Sequence, residues 1–310
     1  MKTTNRIIKT LLGAALSLLV TLGLTHNAAA QTRIAFSSDV TDRKTHQTSH
    51  EIFSMNSDAS GVVRLTATSG SSAFPAWSRN QTYVLFHRAT PVESTLYVME
   101  ANGELNGGRT FGVGPASGSG HDWSPDDSMI VFEGTSDMGY GLWIVAVNAD
   151  TGEVGTPSLV RAGNCYAPSW SPDGTKIAFV TPGGPGTIIK VLDLGTGTET
   201  AGFGGNQPSF SPDGGKLAFT APGPVTTTSK GKTTTTWYYE IFIANADGSG
   251  ITQVTTVQTD LVGFPKWSPD SAQLAFRNKV SSVNWIYKLA LGSGAVTSLY
   301  KGGVTLDWSP

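Results

Sequence analysis

Hydrophobic residues in this chain gather in short runs separated by turn-forming residues. The triplets Val84-Leu85-Phe86, Ile130-Val131-Phe132, Ile177-Ala178-Phe179, Leu217-Ala218-Phe219 and Leu274-Ala275-Phe276 repeat one pattern, and Ile34-Ala35-Phe36 adds a sixth copy. Runs of this length, bounded by Gly, Pro, Asn, Asp and Ser, predict strands. Each of the five later triplets follows a tetrad that opens on an aromatic: Trp77-Ser78-Arg79-Asn80, Trp123-Ser124-Pro125-Asp126, Trp170-Ser171-Pro172-Asp173, Phe210-Ser211-Pro212-Asp213 and Trp267-Ser268-Pro269-Asp270. A sixth tetrad begins at Trp308-Ser309-Pro310. The aromatics are spaced by 46, 47, 40, 57 and 41 residues, the scale of a four-stranded propeller blade.

The tetrad is a turn. Pro presets φ at the second position, Asp bonds nearby backbone, and Gly closes the turn where Gly174 and Gly214 follow. Third strands are predicted at residues 51–55, 96–99, 142–146, 188–192, 240–244 and 285–289, with weaker fourth strands such as 63–66 and 252–255. The last tetrad lacks its following strand, and the strand at 34–36 lacks its tetrad. Pairing residues 306–308 with residues 33–36 completes a sixth blade and removes two sheet edges at once. The expected fold is all-β, a six-bladed β-propeller closed by its N- and C-terminal strands. Trp77, Trp123, Trp170, Phe210, Trp267 and Trp308 are then structural, packed between blades. Each such Trp contributes up to about 5 kcal/mol of gross burial energy, at ~25 cal/mol per Å² over ~200 Å².

Composition narrows the function. The first 30 residues carry Lys2, Arg6 and Lys9, an apolar run over 11–24 and a small-residue end at Ala28-Ala29-Ala30, the layout of a secretory signal cleaved before Gln31. The domain plan is therefore a signal peptide over 1–30 and a propeller over 31–310. The apolar run is shorter than the roughly 20 residues of a membrane span, so no transmembrane anchor is expected after cleavage. Without that segment 18 Lys+Arg face 23 Asp+Glu, and no basic run remains, which sets nucleic acid aside as a partner. The single Cys165 permits no internal disulfide and reads as a small buried residue.

The Trp-Ser-Pro-Asp-Gly turn followed by Ile/Leu-Ala-Phe resembles the repeat of the TolB-like propellers, across residues 33–310. That resemblance implies the propeller fold and a periplasmic or secreted protein of the bacterial cell envelope whose partner is a protein, peptide or glycan. The family's namesake places an α/β domain before its propeller, whereas here the first strand begins almost at the expected cleavage point. Similar propellers also occur in oligogalacturonate lyases, which hold a divalent metal with histidines.

Enzyme signatures are sparse. Gly231-Lys232-Thr233 lacks the earlier glycine of a phosphate loop, and no G-x-S-x-G or G-x-G-x-x-G sequence occurs. Asn245-Ala246-Asp247-Gly248-Ser249 and Asn56-Ser57-Asp58 lack the twelfth-position Glu of a calcium loop and read as tight turns. Strand parity puts the long segments 37–50, 87–95, 133–141, 220–239 and 277–284, and the crossovers 111–122 and 256–265, at one end of the blades, the expected binding face. His46, His50, His87 and His121 project from that end. Candidate binding residues there are these histidines with Arg88, Asp122, Trp237, Tyr238 and Tyr239. His121 stands two residues before its tetrad aromatic, where four repeats have Pro, and is expected at the axial channel mouth.

Three functions stay open. The first is a non-enzymatic module binding a protein, peptide or glycan, with no cofactor. The second is a metal-assisted lyase or hydrolase whose divalent metal sits on His46, His50, His87 and His121. For it, Arg43, Lys44 and Arg88 are equivalent candidates for the base. The third is a structural subunit of an envelope complex. The insertion 220–239 reads either as a mobile flap or as a long hairpin that extends the strand at 240–244.

Overall fold

A computed structural model describes residues 32–310 except 68–69, 116–119, 137–138, 185, 230 and 258–260. The expected signal segment, 1–30, lies outside the described residues, as does Lys230 of the long insertion. Six antiparallel sheets follow one another along the chain. Their innermost strands are Gly303–Trp308, Ser71–Trp77, His121–Trp123, Tyr166–Trp170, Asn206–Phe210 and Leu261–Trp267, which define blades 1 to 6 in that order. Blade 3 carries two short outer segments, Glu153–Val154 and Ser158–Ala162, both paired with Gly139–Asn148. Among the described residues no helix is long and apolar enough to cross a membrane.

Blade 1 is the closure. Ile34 pairs with Trp308, Ala35 with Asp307 and Phe36 with Leu306. The seam is sealed by Arg33 N–H donating to Ser309 Oγ at 2.8 Å and Ser309 N–H donating to the Arg33 carbonyl at 2.7 Å. A buried Ser37–Thr305 hydroxyl pair at 2.6 Å fixes its other end.

Each tetrad does one local job. Its Ser hydroxyl donates to the Asp two residues on, at 2.6 Å in Ser124–Asp126 and 2.5 Å in Ser171–Asp173. The same oxygen accepts the N–H that opens the next strand, Met129 or Lys176, at 2.9 Å. These bonds hold the Asp126, Asp213 and Asp270 carboxyls below the usual carboxylate range, and Asp173 down to about 2. The tetrad aromatics lie between blades. Trp123 is wholly buried, packs with Ala76, Leu85 and Val98 of blade 2, and donates its indole N–H to the Ala76 carbonyl at 3.2 Å. Trp308 joins Ala275 and Ile286 of blade 6 to Ile34 and Phe36 of blade 1.

The long segments of the outer end differ from simple loops. Residues 37–50 form the end of Arg33–Thr41, a turn, and the start of Thr48–Asn56. The same holds for 87–95 and 277–284. Residues 220–239 belong to a hairpin of two 14-residue strands, Lys216–Ser229 and Lys232–Asn245, paired without a break. Exposed backbone that leaves a blade in register keeps its bonds by continuing the ladder, and the Thr-rich composition favours that extended form. The insertion is therefore the hairpin.

Candidate functional site

The channel mouth is built by a repeated irregularity of the innermost strands. Phe74-Pro75, Ala167-Pro168, Gln207-Pro208 and Phe264-Pro265 each interrupt the ladder, and the residue before Pro sits at φ between +50° and +55°. Pro has no N–H to donate, so the strand bulges and its register shifts there. Residues other than Gly rarely adopt this conformation, so the neighbours must enforce it. They do so across blade borders. Thr305 Oγ1 of blade 1 accepts the Phe74 N–H at 2.9 Å, and Gln207 Oε1 of blade 5 accepts the Phe264 N–H at 2.9 Å. Blade 3 has His121 in place of Pro, and its Nε2 donates to the Phe74 carbonyl at 2.7 Å.

That bond defines the imidazole. A carbonyl only accepts, so Nε2 carries the proton and Nδ1 presents a lone pair, which is buried without a donor. Burial pushes the His121 pKa down to about 3, with the positive charge of Lys266 acting in the same direction. His121 is therefore a neutral hydrogen-bond acceptor across the physiological range.

The ring of bulges encloses a cavity of 310 Å³ whose walls include Phe74, His121, Tyr166, Asn206, Gln207 and Phe264. Phe74 and Phe264 meet edge to face, with centroids 5.9 Å apart. Lys266 lines this cavity and also a second one, of 230 Å³, at the turn end. It forms a charged floor between them with Asp307 at 3.1 Å, beside Arg79 and Asp122 at 3.5 Å. Burial alone would lower the Lys266 pKa, but attraction to Asp307 and Asp122 prevails and raises it. Both carboxylates also staple blades together: Asp307 accepts the Trp77 N–H and Asp122 the Trp170 N–H, each at 2.8 Å.

The other residues singled out from the sequence are dispersed around this mouth. His87 bonds the Ser94 hydroxyl at 2.7 Å, and burial lowers its pKa. His50 Nδ1 meets Asp39 at 2.5 Å on the blade 1 hairpin, and His46 occupies the exposed turn of that hairpin. Among the described residues no three His, Cys, Asp or Glu side chains are grouped to hold a metal ion. Arg88 is held by Glu104 through two bonds of 2.8 and 2.9 Å and stacks on Phe86 and Tyr97, so its guanidinium serves packing. Trp237 and Tyr239 are exposed on one face of the long hairpin, while Tyr238 is half-buried on the other. Cys165 is buried and free. Phe74, Gln207 and Phe264 went unnoticed in the sequence; they occupy the position three before each tetrad aromatic, one residue upstream of the Pro that drew attention.

Residues 158–310 match the family described as the TolB beta propeller domain. The repeat in that half is the one carried by blades 1 to 3. This chain has the fold of a TolB-like β-propeller. A Protein TolB homolog from Chlorobium luteolum is 30% identical over 169 residues, covering 53% of the present chain and 36% of the relative, so the chain spans about a third of that relative's length. Among solved structures, TolB from Acinetobacter baumannii superposes with a TM-score of 0.67 at 16% identity, over 90% of this chain and 67% of that one. The β-propeller domain of the Trilobed protease from Pyrococcus furiosus gives 0.52 at 15% identity, over 86% and 79%. That domain has an open velcro topology, whereas the TolB-like propeller here is closed by Ile34 pairing with Trp308.

Proposed function

We propose that this propeller is a periplasmic or secreted binding module that receives a protein or peptide segment at the hairpin-rimmed channel mouth and works there by recognition, without chemistry. The observation that carries the reading is the ring of strained X-Pro bulges around the 310 Å³ cavity. Strain of about 1–3 kcal/mol per residue, held in place by neighbouring blades, preorganises a surface before a ligand arrives. The wall mixes aromatic faces with amide groups and a fixed imidazole acceptor, the mixture that orients a polymer backbone while burying its side chains. Lys266 and Asp122 are engaged in the floor, and Arg88 in a clamp, which leaves them poorly placed for proton transfer.

The test is selection of peptides from a displayed library on the purified propeller, followed by binding to Ala167→Phe. Phe already occupies the equivalent position in blades 2 and 6, so the change narrows the mouth within a geometry the repeat accommodates. Selected peptides should lose most of their affinity for this variant. Retained affinity overturns the mouth reading and points to the blade sides, as a structural subunit would use.

A further inference from the structure

Cations of the propeller differ in how their charge is balanced. Arg64, Arg79, Arg88, Arg109 and Arg161 each face a carboxylate within 4 Å. Arg277, in the blade 6 strand Gln273–Val280, has no ion-pair partner among the described residues. Its Nε is buried without an acceptor. Burial lowers its pKa. The guanidinium is nevertheless held in place. It stacks on the Phe264 ring with its carbon 4.8 Å from the centroid, and Phe264 is a wall of the mouth. Arg277 pairs across the ladder with Gly263. A Cβ added at Gly263 would lie 3.3 Å from an Arg277 nitrogen and 2.9 Å from Gln207 Oε1, so any side chain there would crowd both groups, and its absence lets the guanidinium and the Gln207 amide lie close together at the strand.

Two further cations continue this edge. Lys279 lies two residues on in the same strand, and Lys301 sits above Trp285 at 5.9 Å, with Trp285 pairing to both Asn278 and Lys301. Neither has an ion pair among the described residues. The chain as a whole carries a formal charge of −2, so among the described residues this edge is a local reversal of sign. Resting on the mouth reading above, we infer that Arg277 is the anchor for a ligand carboxylate, and that the peptide received at the mouth presents an acidic side chain or a free C-terminal carboxylate to the blade 6 lip. The planar fork of a guanidinium matches a carboxylate in two parallel bonds, and stacking on Phe264 pre-orients that fork. Lys279 and Lys301 steer the acidic segment inward.

Three fluorescein-labelled heptapeptide pools separate the possibilities: a central Glu with an amidated C-terminus, a central Gln with an amidated C-terminus, and a central Gln with a free C-terminal carboxylate. Fluorescence anisotropy at low salt should show one acidic pool binding about tenfold or more tighter than the uncharged pool, the range of a charge-assisted bidentate pair. Arg277→Gln should abolish that preference, whereas Arg277→Lys should keep part of it. The pool that gains identifies the source of the carboxylate. Equal binding by all three pools to the wild type, or a preference that survives in Arg277→Gln, overturns the inference. If binding is equal but lost in Ala167→Phe, the mouth reading stands and only the carboxylate anchor fails. If no pool binds the wild type, both fail.

Discussion

The floor of the channel offers a quantitative test of how the ring is held. Lys266 and Asp307 lie 3.1 Å apart with side chains 26% and 13% exposed, between the limits of a surface pair and a buried one. An exposed pair contributes up to about 1 kcal/mol, and breaking a buried one costs about 3–5 kcal/mol, so removing either partner should cost about 2 kcal/mol here. Asp307→Asn preserves the acceptor for the Trp77 N–H but leaves Lys266 with only the nearby charge of Asp122. Lys266→Met removes the cation and keeps the length of the side chain. Urea unfolding should place each single variant about 2 kcal/mol below the wild type, or roughly 4–8 °C lower in Tm. The double variant should cost less than the two singles together, because neither partner is left as an unpaired charge. Strict additivity of the two singles would refute the argument that this pair acts as a unit.

Trp308→Ala should cost about 3–5 kcal/mol, as much as Trp123→Ala, because Trp308 is 5% exposed between blades 6 and 1; a loss under about 1 kcal/mol would contradict terminal closure. His121 has a folded pKa near 3, below its value of about 6.5 in an unfolded chain, so the stability it provides is complete above about pH 6.5 and declines as pH falls towards 3. His121→Gln, which keeps a donor for the Phe74 carbonyl, should flatten stability between about pH 6.5 and 4, and nitrogen NMR should find the wild-type ring uncharged at pH 5. The tetrad carboxyls have depressed folded pKa values, so their contribution persists above about pH 4 and disappears towards pH 2; Asp173→Asn should lessen that acid loss in pH-dependent unfolding. Chelator treatment followed by metal analysis should leave both Tm and peptide binding unchanged, whereas a stoichiometric metal lost in His121→Ala would favour the lyase reading.

The parts of this fold that the chain announces are those built from fixed local chemistry. A Ser–Asp pair such as Ser171 and Asp173 closes the same turn in four blades, so it recurs as written text, and the wholly buried Trp123 has its counterparts because each blade border needs a large flat side chain. Residues 306–308 and 33–36 could be paired on paper because each supplied what the other lacked. The mouth is harder to see. Phe74, Ala167, Gln207 and Phe264 share a backbone conformation, not a residue type, and nothing in their side chains marks the positive φ. Arg88 and Arg277 look alike as neighbours of an outer turn, yet Glu104 reaches the first from the short 3-10 segment Glu104–Asn106 while among the described residues no acid pairs with the second. The hairpin over 220–239 could be read from the sequence, but alongside a mobile flap, because Thr-rich, exposed strands lack the apolar alternation that identifies a strand packed on a core.

The most direct measurement of the central claim is hydrogen–deuterium exchange of the propeller with and without a peptide selected on it. The account predicts slowed exchange in 71–77, 121–123, 166–168, 206–208 and 261–265, the innermost strands where they enter the mouth, with the Ser-Pro-Asp turns at the opposite end unchanged. Protection confined to those turns, or to the outermost strands of the blades, would contradict it.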